Sequence, residues 1–137
     1  MPATIFDDLP IPPVGRLLGW KLLSLDSLAG SIAVEFLAIN DFTNPSGFIQ
    51  GGLLAAMLDD TMGPAVFAMT DGKSLTTTIG MQIHCLRPVR PGRVTTTGKV
   101  TKLGARIAFL EGELFDHQGK LAATAAASAV LTDYRPA

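Results

Sequence analysis

The stretch from Asn44 to Gly63 reads NPSGFIQGGLLAAMLDDTMG and decides the fold. It joins a loop rich in turn-forming residues to an apolar run that opens at Gly51-Gly52 and continues to about Met69. Apolar side chains would cover nearly every face of a helix built from this run, and a helix of that kind is usually buried. The segment therefore predicts one long buried helix, in which Pro64 either makes a kink or marks the last turns.

Around this helix the sequence predicts five or six β-strands. Two strands over 20–25 and 30–38 are joined by a turn, since Ile32, Val34 and Phe36 alternate with small or polar residues. Four further strands are predicted over 74–86, 93–103, 105–115 and 120–131. The last of these contains a run of alanines, but it follows the hairpin signal DHQG and lacks a helix cap, so it is interpreted as a strand.

The chain of 137 residues fits one domain, so we expect a single α+β domain over 1–137, with one buried helix among antiparallel strands. Its first segment, 1–19, is rich in proline and predicts an irregular arm with about one helical turn. One sheet that covers one helix leaves the far side of the helix open, and dimerisation is a natural way to close it.

Composition excludes several classes of protein. Charged residues make up only 17% of the chain, and a low charge content is typical of surfaces buried in oligomers. The net charge is −1 and lysine and arginine form no run, so we expect no binding to nucleic acid. The longest apolar stretch contains two aspartates, and no signal peptide is recognised, so we expect no membrane span and a cytoplasmic location.

Three features of the quoted segment suit the chemistry of a carbonyl group. The unpaired backbone N–H groups at Gly51-Gly52 could hold an oxyanion at the positive end of the helix dipole. Asp59 lies two turns into an apolar helix, where burial should raise its pKa unless hydrogen bonds favour the charged form. Asn44 could bind a carbonyl or a water molecule. Asp60, which would point about 100° away around the helix, is the alternative carboxylate.

The spacing between Gly51 and Asp59 predicts a dimer. Eight residues of helix separate them by about 12 Å along the axis, so one small acyl carbonyl cannot touch both. Two antiparallel copies of the helix, side by side, would bring Asp59 of one subunit near Gly51 of the other. We therefore expect a symmetric homodimer with two composite sites.

The segment resembles the PaaI-like, phenylacetate-degradation-type branch of the hotdog thioesterase superfamily. In that family an Asn, a Gly and a His-Gly-Gly precede an apolar run that ends in Asp. Here Asn44, Gly47, Gln50-Gly51-Gly52 and Asp59 occupy these places. The resemblance implies a hotdog fold and an acyl-CoA thioesterase without a metal or redox cofactor. It also implies a homodimer, which we expect to assemble further into a homotetramer.

The resemblance also implies roles for individual residues. Asp59 would be the nucleophile or general base, the N–H of Gly51 would polarise the thioester carbonyl, and Asn44 would position the carbonyl or the attacking water. Further residues expected to contact the substrate are Gln50, Gly52, Thr78 with Thr77 as its alternative, and, on a phosphate of coenzyme A, Arg106.

One departure from the family pattern keeps two other functions open. Gln50 stands where the family has a histidine, and glutamine does not titrate near neutral pH. If that position only orients the loop, glutamine should serve. If it moves a proton, the chain could be a non-catalytic binder of acyl-CoA or another apolar ligand. A hydratase or dehydratase of the same fold is the other alternative, although such enzymes generally need a histidine paired with an acid.

The predicted strand over 74–86 bears on two further expectations. Strict alternation would place Thr78 on one face with His84, and Cys85 on the other face in the core. His84 and Cys85 could then not act as a pair, and two separate histidines make a metal site improbable. The acyl group is expected in an apolar channel between the two helices, lined by Ala55, Ala56, Met57, Met62 and Phe67.

Overall fold

The computed structural model describes residues 2–135. The elements follow in the order α1 (Pro13–Leu18), β1 (Lys21–Asp26), β2 (Ser31–Ala38), a 3-10 turn (Asn40–Phe42), α2 (Gly51–Met69), β3 (Ser74–Cys85), β4 (Gly92–Leu103), β5 (Ile107–Phe115) and β6 (Leu121–Asp133). The long helix and all six expected strands are confirmed, and the alanine-rich segment is a strand that pairs with β5 and β3.

The strands form one antiparallel sheet in the order β1-β2-β4-β5-β6-β3, and α2 packs against one side of it. β1 and β3 are therefore the edge strands. This architecture confirms the expected α+β class with one long helix wrapped by a six-stranded antiparallel sheet.

Helix α2 lies close to the centre of the sheet because two strands offer glycine there. A Cβ on Gly98 of β4 would come within 3.2 Å of the Thr61 methyl group, and one on Gly112 of β5 within 3.1 Å of Leu58. The hydroxyls of Thr61 and Thr96 share a buried hydrogen bond of 2.6 Å that ties α2 to β4. Each large apolar side chain of α2 that is buried here stabilises the fold by about 1.5–3 kcal/mol.

Strand β3 contains a bulge that alters its two faces. Its pairing with β6 shifts register between Thr78 and Gly80, so Ile79 is the extra residue. The alternation therefore changes phase, and Thr78 and Cys85 both face α2. The expectation of opposite faces for these two residues was wrong. Cys85 was also expected in the core, but it ends an edge strand and is exposed.

The N-terminal arm packs against α2. It contains the six-residue helix α1, which ends at Gly19 in the left-handed conformation with φ 75°. The Phe6 ring lies edge-on to Trp20, with 5.5 Å between ring centroids, and 6.0 Å from Phe67 of α2. Outside α1 the described residues of the arm form neither helix nor strand, in agreement with the expected irregular arm with about one helical turn, and its aromatic and apolar residues pack onto α2.

Candidate active site

The loop before α2 is shaped by Asn44. Its side-chain Oδ1 accepts hydrogen bonds from the backbone N–H groups of Ser46, at 3.0 Å, and Phe48, at 3.1 Å. These bonds fold residues 44–48 into a tight turn, the usual role of an asparagine in such a loop. The oxygen of Asn44 is thus engaged within the loop, and its amide nitrogen remains as the group that could contact a ligand.

The N-terminus of α2 has the open form that an oxyanion site requires. Gln50 is the N-cap residue; its N–H donates to the Phe42 carbonyl, and its exposed side chain makes no capping bond. The first N–H groups of a helix have no partner within it, so those of Gly51 and Gly52 are free to bind an anion. A Cβ on Gly52 would meet nothing within 4 Å, which shows that the approach is unobstructed.

Asp59 is exposed on α2, about two turns beyond Gly51, and is held by the neighbouring edge strand β3. The Thr78 hydroxyl donates a hydrogen bond of 2.9 Å to Asp59 Oδ1, which leaves Oδ2 available. Thr78, rather than Thr77, is therefore the strand residue at this carboxylate. Asp59 is exposed in the single chain, so the burial expected for it is not present within one subunit.

Of the two aspartates, Asp60 rather than Asp59 is the one with a buried carboxyl oxygen. Its Oδ2 atom is buried and has no hydrogen-bond partner among residues 2–135. Burial, and to a lesser extent the nearby charge of Asp59, raise the pKa of Asp60 from 3.8 to about 6. The indole N–H of Trp20 donates to the Asp60 backbone carbonyl at 2.9 Å, which fixes this turn of α2 beneath the arm.

A cavity of about 400 Å³ lies between the N-terminal arm and α2. The arm contributes Phe6 and Ile11, while Asp60, Gly63 and Phe67 line it from the helix. The sequence analysis did not predict this cavity. The feature of the sequence that points to it is the set of apolar residues interspersed among the prolines of the arm.

The expected acyl channel is only partly supported by the side chains of α2. Phe67 lines the cavity, but Met57 and Met62 are fully buried in the core beneath the sheet and cannot line an open channel. Ala55 and Ala56 are half-buried. The apolar cavity on this side of α2 is therefore lined by the arm as well as by the helix.

Other expected residues lie apart from Asp59 within one chain. Gly51 is near the end of β3, with a Cβ position 3.6 Å from the Cys85 sulfur, and about 12 Å of helix separates it from Asp59. Arg106 is exposed in the turn after β4, at the end of the sheet where α2 finishes near Gly30. A single subunit thus does not bring Gly51, Asp59 and Arg106 together.

A second groove crosses the outer face of the sheet, away from α2. Polar residues line it, among them His84, Lys99, Glu111 and Glu113. His84 therefore points away from Cys85, as the strand geometry predicts. Among residues 2–135, no group of three or more histidine, cysteine or acidic side chains is placed to hold a metal ion.

Comparison with known proteins gives the class of the fold and then the family. A phenylacetic acid degradation-related protein of Ralstonia eutropha JMP134, described as a proposed thioesterase, is 32% identical, with a TM-score of 0.86 over 92% of this chain and 95% of that one. The PaaI protein from the E. coli phenylacetic acid degradation operon is 20% identical, with a TM-score of 0.75 over 88% of this chain and 85% of that one. The six-stranded sheet around one long helix is thus a hotdog fold.

The thioesterase superfamily profile matches residues 46–123, which include the N-terminus of α2, Asp59 and Thr78. A proposed esterase of Saccharolobus solfataricus is 31% identical over 113 residues, which cover 82% of this chain and 79% of that protein. The chain belongs to the thioesterase superfamily. This confirms the resemblance and the expected class of enzyme, a thioester hydrolase. Across the described part of the chain, no helix meets the length and hydropathy that a membrane crossing requires.

Proposed function

We propose that this protein hydrolyses an acyl-CoA thioester to a free acid and coenzyme A. The observation that carries the proposal is the Asp59 carboxylate, oriented by the Thr78 hydroxyl at 2.9 Å and open on its other oxygen. Such a carboxylate can attack a thioester carbon or deprotonate a water molecule that does so. The description of structural relatives as thioesterases agrees with this reaction. The reaction requires no metal or redox cofactor.

The second element of the proposal is the oxyanion site. The free N–H of Gly51 would bind the thioester carbonyl and stabilise the negative charge that develops on its oxygen. Since about 12 Å of helix separates Gly51 from Asp59 in one chain, we assign the two groups of one site to different subunits. Gln50 can orient the loop before α2 without titrating, because the hydrogen bond from its backbone N–H to the Phe42 carbonyl already positions the start of the helix.

The edge strand β3 supports the required dimer. Its twelve residues carry unpaired backbone groups along one side, and an exposed edge of this length favours pairing with another strand. Ile79 and Leu86, on and just after this strand, are 59% and 57% exposed, as expected for residues that a second subunit covers. Antiparallel pairing of two β3 strands would continue the sheet and set two α2 helices side by side. Further assembly into a homotetramer stays a prediction, as does a contact of the partner's exposed Arg106 turn with a coenzyme A phosphate.

A thiol-release assay with aromatic, short, medium and long acyl-CoAs tests the proposal. Asp59→Asn should lower kcat by about a hundredfold or more, because the amide can neither attack nor accept the proton. Asp60→Asn is the matched control, one residue away, and should retain turnover. Loss of turnover in Asp60→Asn alone would move the catalytic role to Asp60.

Two other outcomes would contradict hydrolysis. Stabilisation by acyl-CoA without any thiol release would support a non-catalytic binder, the alternative that the glutamine at position 50 keeps open. Hydration of an enoyl-CoA without thiol release would instead support a hydratase.

A further inference from the structure

The cavity beneath the N-terminal arm combines an apolar wall with one charged acceptor. Phe6, Trp20, Phe67 and Tyr134 contribute aromatic rings, and the Asp60 side chain is the acidic group that lines the space. A volume of about 400 Å³ is at the lower end for ligand sites and suits a compact group rather than a long chain. A pocket of this composition binds an apolar group and selects it through a single polar contact.

The acceptor in this cavity is unsatisfied by the protein. Asp60 Oδ2 is buried beneath α1, 3.7 Å from the position of a Cβ on Gly15, and lacks a hydrogen-bond partner within residues 2–135. Leaving a buried carboxylate oxygen unpaired is costly, so evolution normally pairs such an atom or replaces it. A ligand that donates a hydrogen bond at this point would remove the cost.

The cavity is also placed to receive the acyl group of a substrate held at Asp59. Gly63, which lines the cavity, lies one helical turn beyond Asp59 on the same face of α2, about 6 Å along the axis. Leu75 lines the cavity from β3, three residues before Thr78. An acyl group of a few carbons that starts at Asp59 can therefore extend towards Asp60.

We propose that Asp60 is a specificity-determining residue that selects acyl groups bearing a distal hydroxyl. The hydroxyl would donate its proton to Asp60 Oδ2 while the carbon chain fills the apolar cavity. We assign a hydroxyl rather than an ammonium group because a neutral donor can bond to Asp60 Oδ2 without the large cost of desolvating a full positive charge. This inference rests on the proposed thioesterase activity and adds the chemical class of its substrate.

The test compares matched pairs of substrates: omega-hydroxyhexanoyl-CoA with hexanoyl-CoA, and omega-hydroxyoctanoyl-CoA with octanoyl-CoA. In the wild type, kcat/KM for a hydroxylated substrate should exceed that of its partner by about tenfold to a hundredfold, as for a hydrogen bond to a charged group. In Asp60→Leu this preference should disappear or reverse, because the leucine offers no acceptor. Asp60→Asn, which keeps the size and polarity of the side chain, should reduce the preference and serves if the leucine variant does not fold.

Two control variants separate this inference from the proposed function. Glu113→Gln replaces an exposed carboxylate on the outer face of the sheet and should leave the ratio unchanged. Asp59→Asn should lower both rates equally. No thiol release from any substrate would refute the thioesterase function itself. Release at equal rates from both members of each pair, or a preference that survives in Asp60→Leu, would refute the role of Asp60 and leave the thioesterase function intact.

Discussion

Replacing Gly51 with proline tests the oxyanion site without disturbing the helix. Gly51 is the first residue of α2, a position where proline is favoured because its missing N–H has no partner within the helix. Gln50 has φ −58° and ψ 133°, the conformation that a residue before proline prefers. A Cβ at position 51 would lie 3.6 Å from the Cys85 sulfur, an ordinary contact. The substitution thus removes the proposed donor and little else.

The expected loss in kcat for Gly51→Pro is about a hundredfold to a thousandfold, the usual cost of losing one oxyanion donor. Thiol release under saturating acyl-CoA measures this, and thermal unfolding should show an unchanged or higher Tm. Gly51→Ala is the control, because it adds the same Cβ but keeps the N–H; it should lose less than about tenfold. Equal rates for the proline and alanine variants would refute the role of this N–H group.

Three further predictions concern the carboxylates and the core. Thr78→Val should lower kcat about fivefold through loss of its hydrogen bond to Asp59, whereas Thr78→Ser should not; equal losses in the assay would contradict this. Thr61→Val should lower the free energy of unfolding in urea by about 1–2 kcal/mol, since it breaks the buried bond to Thr96, and an unchanged midpoint would contradict that role. Folding raises the pKa of Asp60 from 3.8 to about 6, so the folded state is favoured when this carboxyl is protonated. This contribution to stability is fully present below pH 3.8 and is lost as the pH rises through about 6. The stability gained by Asp60→Asn should therefore grow over this window in urea unfolding, and a gain independent of pH would refute the burial of this carboxyl.

The local patterns predict the elements well. Helix α2 has the predicted bounds, Gly51–Met69, because a run of apolar residues after two glycines leaves no competing structure. The alanine-rich β6 could form a helix by propensity alone, but pairing on both sides holds it as a strand. The hairpin signal at 116–119 was sufficient to resolve this ambiguity.

The details of the site depend on tertiary contacts that no local pattern encodes. The bulge at Ile79 changes the phase of β3, so alternation alone misplaced Thr78 relative to Cys85. Asp60 is buried and Asp59 is not because the arm and Trp20, which is forty residues earlier in the chain, pack over Asp60. A sequence pattern shows which residues share a helix face, but not which distant segment covers that face.

Mixing two inactive variants tests the composite site most directly. Asp59→Asn and Gly51→Pro subunits are each expected to form inactive homodimers. In a heterodimer with composite sites, one site carries both substitutions and the other carries neither. When the two variants are unfolded together and refolded in equal amounts, about half of the dimers should be heterodimers, and each of these has one intact site of two. The mixture should therefore recover about a quarter of the wild-type rate of thiol release. If the mixture stays as inactive as either variant, although native mass spectrometry shows heterodimers, the two groups do not act across the subunit interface.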